Sequence, residues 1–191
     1  MKKFLCFLLV AVVCFCCTGC GDNTNAAKEL AEEYAVAYMS GNLTKVAECG
    51  IIDLEDCLSE GNYTVFTLKG YLNFQSSTYE REIVSVEDLY VAYEDATKTN
   101  NPGLSVTVNE SEVTKCEMST TEAIINEIET KFGGIVDTKN IDNIYEASVS
   151  VTISMNAGAL EKDLTVKIVE TAGELKVYSP HILELLGGFN Y

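Results

Sequence analysis

The chain has 191 residues, with 29 acidic side chains against 13 basic ones and a formal net charge of −16. Such a balance repels phosphate backbones and anionic headgroups alike. It argues against nucleic-acid binding and against membrane adhesion through the protein surface. Of the eight cysteines, five fall in the first twenty residues, and there is one histidine.

The leader reads MKKFLCFLLVAVVCFCCTGC. Lys2 and Lys3 make a short positive start, and Phe4 to Cys17 follow without a charge. A hydrocarbon core needs ~20 apolar residues, so this run is too short to span one and suits the apolar region of an export signal. The stretch Cys17-Thr18-Gly19-Cys20 resembles the lipobox of bacterial lipoproteins. Cys17 departs from it, since that family usually carries Leu at this place. The resemblance implies cleavage before Cys20, a diacylglyceryl group on its sulfur, and a membrane-anchored protein on the extracytoplasmic face. A zinc site would need ligands held in a folded loop, and this segment has no histidine partner. Without Lys2 and Lys3 the basic count falls to 11 against 29 acids, and the net charge to −18. The expected organisation is a signal peptide at 1–19, a lipidated cysteine and tether at 20–25, and one α+β domain at 26–191.

The residues after the tether alternate between two periods. Ala27, Leu30, Ala31, Tyr34, Ala35, Tyr38 and Met39 recur at helical spacing, with Asn25 placed to cap the start and Gly41 the end. LTKVAEC reads as a short helix ended by Gly50, and Asp53 begins one more turn. In YTVFTLKGYLNF, Phe66, Leu68, Leu72 and Phe74 fit a half-buried strand with a bend at Gly70. Val86, Leu89, Tyr90 and Tyr93 return to helical spacing behind a Ser85/Asp88 capping box. LSVTV and EVTKCEM read as two strands joined at 109–111. A helix over 119–132 opens on a Ser119/Glu122 capping box and stops at Gly133. In IYEASVSVTISMN, Tyr145, Ala147, Val149, Val151, Ile153 and Met155 alternate with polar residues, as in a strand with one buried face. LEKDLTVKIVE and LKVYS follow as strands after the turns NAGA and TAGE. Ser179-Pro180 then opens a terminal helix.

EYAVAYMSGNLTKVAE and YEASVSVTISMNAGALEKDLTVKIVETAGELKVYS are similar to the opening helices and closing meander of small Firmicutes lipoproteins with a nuclear-transport-factor-2-like, or cystatin-like, α+β fold. Leu175 stands where such proteins commonly have Trp. The resemblance implies N-terminal helices packed on a curved antiparallel sheet that makes a cone, with the helix near 119–132 as an insertion. Enzymes of this fold, such as ketosteroid isomerase, keep a carboxylate base and tyrosine donors at the cone's open end. Here the inward residues of the best strand carry no ionisable base, and its partner strand offers Leu164, Val166 and Ile168. A proton transfer needs a base within hydrogen-bond reach.

The remaining candidates are few. Tyr34, Tyr38, Tyr145 and Met155 could line a ligand pocket, though core packing with hydroxyls at the rim explains the tyrosines as well. Asp53, Glu55, Asp56 and Glu60 form the densest acidic cluster. They lack the alternating pattern of a calcium loop, so a solvated face is the plainer reading. Cys49, Cys57 and Cys116 are odd in number: Cys49 and Cys57 could pair, or all three serve as small buried residues. His181 has no catalytic or metal grouping near it in sequence. Asn42, Asn62 and Asn109 head glycosylation patterns that mean little in a bacterial lipoprotein. No nucleotide or metalloprotease motif is present, and no cofactor is expected. The expected function is a non-catalytic module binding a small apolar ligand or an envelope protein. The alternatives are a small isomerase- or hydrolase-like enzyme with its acid or base elsewhere, and a structural envelope protein.

Overall fold

The structure, a computed structural model, describes residues 23–59, 67–179 and 183–184. Cys20, Glu60, Asn62 and His181 lie outside the described residues, as does most of the expected terminal helix.

The architecture is α+β: six helices and one four-stranded antiparallel sheet in the order β1-β2-β3-β4, among the described residues. The sheet is open, not closed into a barrel. β1 is Ser105–Lys115, β2 Ile141–Met155, β3 Gly158–Thr171 and β4 Glu174–Tyr178. Two-residue turns join the last three strands. At the β3–β4 turn both Ala172 and Gly173 have positive φ, 53° and 82°, matching the twist that short hairpins favour.

Helix α1, Thr24–Ser40, lies across one face of this sheet. Ala27, Ala31 and Ala35 are completely buried. So are Ala147, Val149 and Val151 in the β2 register that faces α1, and Val166 and Leu164 continue that layer on β3. The small helix side chains let the backbone come close to the strands, and the larger strand residues fill the space between. Near mid-helix, the Ser111 hydroxyl of β1 donates to the Glu32 carboxylate.

Helix α2, Leu43–Cys49, is capped by Asn42, whose side chain accepts from Lys45 N at 3.0 Å. The intervening Gly41 has φ 74°, and a Cβ there would sit 2.8 Å from the Thr97 side chain, so the turn needs glycine twice over. After α2, Gly50 bridges Val177, and Ile51 N donates to Val177 O, covering the free edge of β4. Helices α3, Leu54–Ser59, α4, Leu68–Thr78, and α5, Val86–Asn100, follow. The Ser85/Asp88 capping box expected at the start of α5 is present, with both bonds at 3.1 Å.

Helix α6, Met118–Phe132, packs on the opposite sheet face near β4. Its Phe132 ring meets Tyr178 edge-on at 6.1 Å, and Glu127 bonds both Lys167 and Tyr178. Only one end of that face is covered. Toward the β2–β3 hairpin it presents Ser148, Ser150, Thr152 and, on β3, Asp163 and Thr165.

Four expectations are corrected. Residues 68–78 are a helix, not a strand: Leu68, Tyr71, Leu72 and Gln75 follow helical spacing, and the Thr67 hydroxyl caps Gly70 N at 3.2 Å. Phe74, assigned to the strand's buried face, is 54% exposed. Residues 105–115 are one strand, not two. Asn109 forms a bulge, and its side chain accepts from Thr152 at 3.0 Å, so turn-like residues serve a register shift instead. Helix α6 starts at Met118 behind Glu117 with no side-chain cap bond, because Cys116 N still pairs with Ile144 O and the chain leaves the ladder straight into the helix. Finally α1 begins at Thr24 behind Asn23, not behind Asn25, which shortens the expected tether.

Burial alone would raise the Glu127 carboxyl, but Lys167 at 3.1 Å, Lys131 and the Tyr178 hydroxyl outweigh it and hold the group below the ordinary carboxylate range. A depressed acid contributes stability above its unfolded pKa and loses it as pH falls through the folded one. Urea denaturation of Glu127→Gln across acidic pH is therefore expected to show a shallower loss of stability with acidification than wild type.

Candidate functional site

The polar centre of the sheet lies at the start of α1. Glu170 is the next inward residue of β3 after Leu164, Val166 and Ile168, and it is 9% exposed. One of its oxygens accepts from the Asn23 side chain at 2.8 Å. The other accepts from Asn143 at 2.8 Å and from the Tyr145 hydroxyl at 3.2 Å. Asn23 occupies the N-cap position of α1 yet makes no side-chain bond to its own helix, since its amide is committed to Glu170. The cluster therefore ties β2, β3 and the head of α1 through one carboxylate. The inward register thus does carry an acid, and the expectation of none is corrected. The β3 alternation, continued by two residues, points to it.

The tyrosine and methionine candidates do not converge. Tyr34 and Tyr38 stack with ring centroids 6.1 Å apart and planes 5° from parallel. Tyr34 is 1% exposed. Burial pushes its hydroxyl far above the ordinary range, opposed by Ser179 and reinforced by Tyr38, Cys49 and Glu184. No hydrogen bond of good geometry reaches that hydroxyl among the described residues. Tyr38 is raised by burial and then by Glu184 and Tyr93 of α5. The pair thus belongs to a packed seam of α1, α5 and the chain after β4, not to a pocket mouth. Tyr145 bonds Glu170 near Asn23, eleven helical residues or about 16 Å before Tyr34. Met155 ends β2 opposite Gly158, ten strand residues or ~33 Å from Tyr145.

Asp53 uses its carboxylate as a cap, accepting from Glu55 N at 2.7 Å and Asp56 N at 3.1 Å. Glu55 and Asp56 are exposed in the first turn of α3, where the helix dipole favours them. Among the described residues, no three His, Cys, Asp or Glu side chains are grouped to hold a metal ion. Cys49, Cys57 and Cys116 are separate thiols. Cys57 is pushed up to about 12 by burial, with Asp53 and Asp56 adding to it. It lacks the electropositive setting of a reactive thiol.

A surface concavity of about 420 Å³ lies along the flank of α1, between it, the start of α2 and the β1 edge of the sheet. Glu29, Glu32 and Glu33 form its acidic wall, Val36, Ala37 and Val108 its apolar floor, and Lys45 its far rim. Lys45 is engaged with Glu33 at 2.9 Å and Glu48 at 3.2 Å. The groove was not foreseen, because it needs α1, α2 and the edge of β1 together.

No family model, curated protein or solved structure matches the chain.

Removing the Glu170 charge leaves three donors competing for a weaker acceptor. Bonds to charged groups contribute ~1.5–3 kcal/mol, so Glu170→Gln is expected to lower the unfolding free energy by about 1–3 kcal/mol in urea. Tyr145→Phe is expected to cost ~1 kcal/mol, and the double variant less than the sum of the two. Strict additivity would show that the two side chains are not coupled. In thiol titration of the native protein, half-buried Cys116 is expected to react first and Cys57 only on unfolding.

Proposed function

We propose that the chain is a lipid-anchored extracytoplasmic module without catalytic activity, and that it meets its partner from outside. The leader with its lipobox-like Cys20 supports the anchoring. The observation that carries the binding mode is the filled space between α1 and the sheet, where Ala27, Ala31, Ala35, Ala147, Val149 and Val151 are completely buried. An interior ligand would have to displace that packing. The accessible concavity lies along the flank of α1, beside α2 and the β1 edge, and is acidic, which favours a cationic segment of an envelope protein over the small apolar ligand expected inside the cone.

One observation favours a second reading, an acid–base enzyme of the same fold. A buried carboxylate with a tyrosine partner is the kind of pair such chemistry uses. However, both oxygens of Glu170 already accept bonds from this chain's own side chains. The clamp explains the pair without a substrate.

Cys20→Ser is expected to lose the acyl modification in intact-protein mass spectrometry and to leave the membrane fraction. Retention of both would refute the anchor. A photo-crosslinking residue at Val36 of the lipidated protein is expected to give a discrete adduct in intact cells, lost in the charge-reversed Glu29→Lys/Glu33→Lys background. No adduct at that position, or one indifferent to the reversal, would remove the groove as the contact surface.

A further inference from the structure

We infer that the β3–β4 end of the sheet rests against the membrane headgroups while the β2–β3 hairpin stands away from the bilayer. This rests on the acylation of Cys20. Only Gly21 and Asp22 separate Cys20 from Asn23. Three peptide steps of at most ~3.8 Å keep the Cα of Cys20 within about 11 Å of the Cα of Asn23, whatever path the chain takes. Asn23 is not a loose end, because its side chain is held by Glu170, and Glu170 is held in turn by Asn143 and Tyr145. The lipid is therefore coupled to one fixed corner of the fold, not to a flexible stalk.

That corner has a definite surface. Ile141 pairs with Thr171, and Thr171 with Glu174, so the start of β2 and the β3–β4 turn share the end of the sheet beside the clamp. Lys139, Asp142, Ala172, Gly173 and Glu174 are exposed there. Of the exposed large apolar residues, Met118 follows Cys116, whose N–H pairs with Ile144 O, so it lies past this same end of the sheet, whereas Leu160 is in the far half of β3 and Phe74, Val84 and Val91 lie in or beside α4 and α5. A mainly polar end with both charge signs and one exposed methionine suits contact with a zwitterionic headgroup layer. At the opposite end, β3 spans fourteen residues from the turn at 172–173 to the hairpin at 156–157. At ~3.3 Å per residue the two turns lie about 45 Å apart. The bare polar face and the half-exposed Leu160 are on this outward half.

The chain contains no tryptophan, so single tryptophans report cleanly. The full-length acylated protein, carrying either Glu174→Trp or Ala157→Trp, is reconstituted into phosphatidylcholine vesicles containing a dansyl-headgroup lipid. Energy transfer is measured from each. Transfer from position 174 is expected to exceed that from 157 by at least about fivefold, given the ~45 Å separation. A flexible Gly/Ser insertion of about twelve residues after Gly21 is expected to abolish the difference. Asp142→Trp and Ala159→Trp serve as a second pair if either first variant is unfolded by circular dichroism. Equal transfer from an acylated protein overturns the orientation alone, and a difference that survives the insertion overturns the short tether as its cause. An unmodified Cys20 in mass spectrometry removes the anchoring reading and the orientation with it.

Discussion

A carboxylate buried among apolar side chains is costly unless its charge is met by donors, and once met it is hard to rearrange. Glu170 is such a group. Its donors come from the strand beside it and from the residue that opens α1. The helix can therefore take few positions on the sheet without stranding a charge. Hydrophobic packing is tolerant of small sliding motions, whereas three directional bonds to one acceptor are not. The alanines of α1 supply closeness to the sheet, and the clamp supplies register.

The two faces of the sheet are treated differently for a related reason. The face under α1 is apolar except at the head of the helix, where Glu170 and its donors lie, and its burial drives the fold. The other face is apolar only where α6 reaches it, through Ile144, Val169 and Tyr178. Beyond α6 it turns to Ser and Thr, which keep a strand-favouring shape while remaining wetted. On this face the β2–β3 hairpin thus extends past α6 with a polar surface.

Much of this was legible in the sequence where one period ran for long. The alternation from Tyr145 to Val151, the helical stripe of α1 and the Ser85/Asp88 box all read through to structure, since each repeats one physical signal several times. The failures fell where signals were short or shared. Leu68 and Leu72, four apart, satisfy both a strand and a helix, and Tyr71 and Gln75 decide for the helix only once their burial is known. Asn109 carries turn chemistry that a bulge uses equally well. The site was least legible. Glu170 ends an apolar alternation and looks like a solvated strand terminus, and only its meeting with Asn23, 147 residues earlier, shows otherwise. The expected α+β class, with helices packed on an antiparallel sheet, is what the chain adopts, and that sheet is open.

The bulge at Asn109 has a consequence for crowding. Anchored as proposed, copies of this chain would diffuse in two dimensions and meet with one axis already aligned, which raises their effective concentration. Under those conditions an uninterrupted outer strand could template the addition of neighbouring sheets, and polymerisation would follow. β1 is such an outer strand, but the extra residue divides its backbone into two short runs whose hydrogen-bonding directions no longer agree, with Glu110 and Glu112 set beside the break. A neighbour could pair with one run or the other but could not continue along both. The irregularity that ties Asn109 to Thr152 within one molecule also limits how far any assembly of molecules could grow.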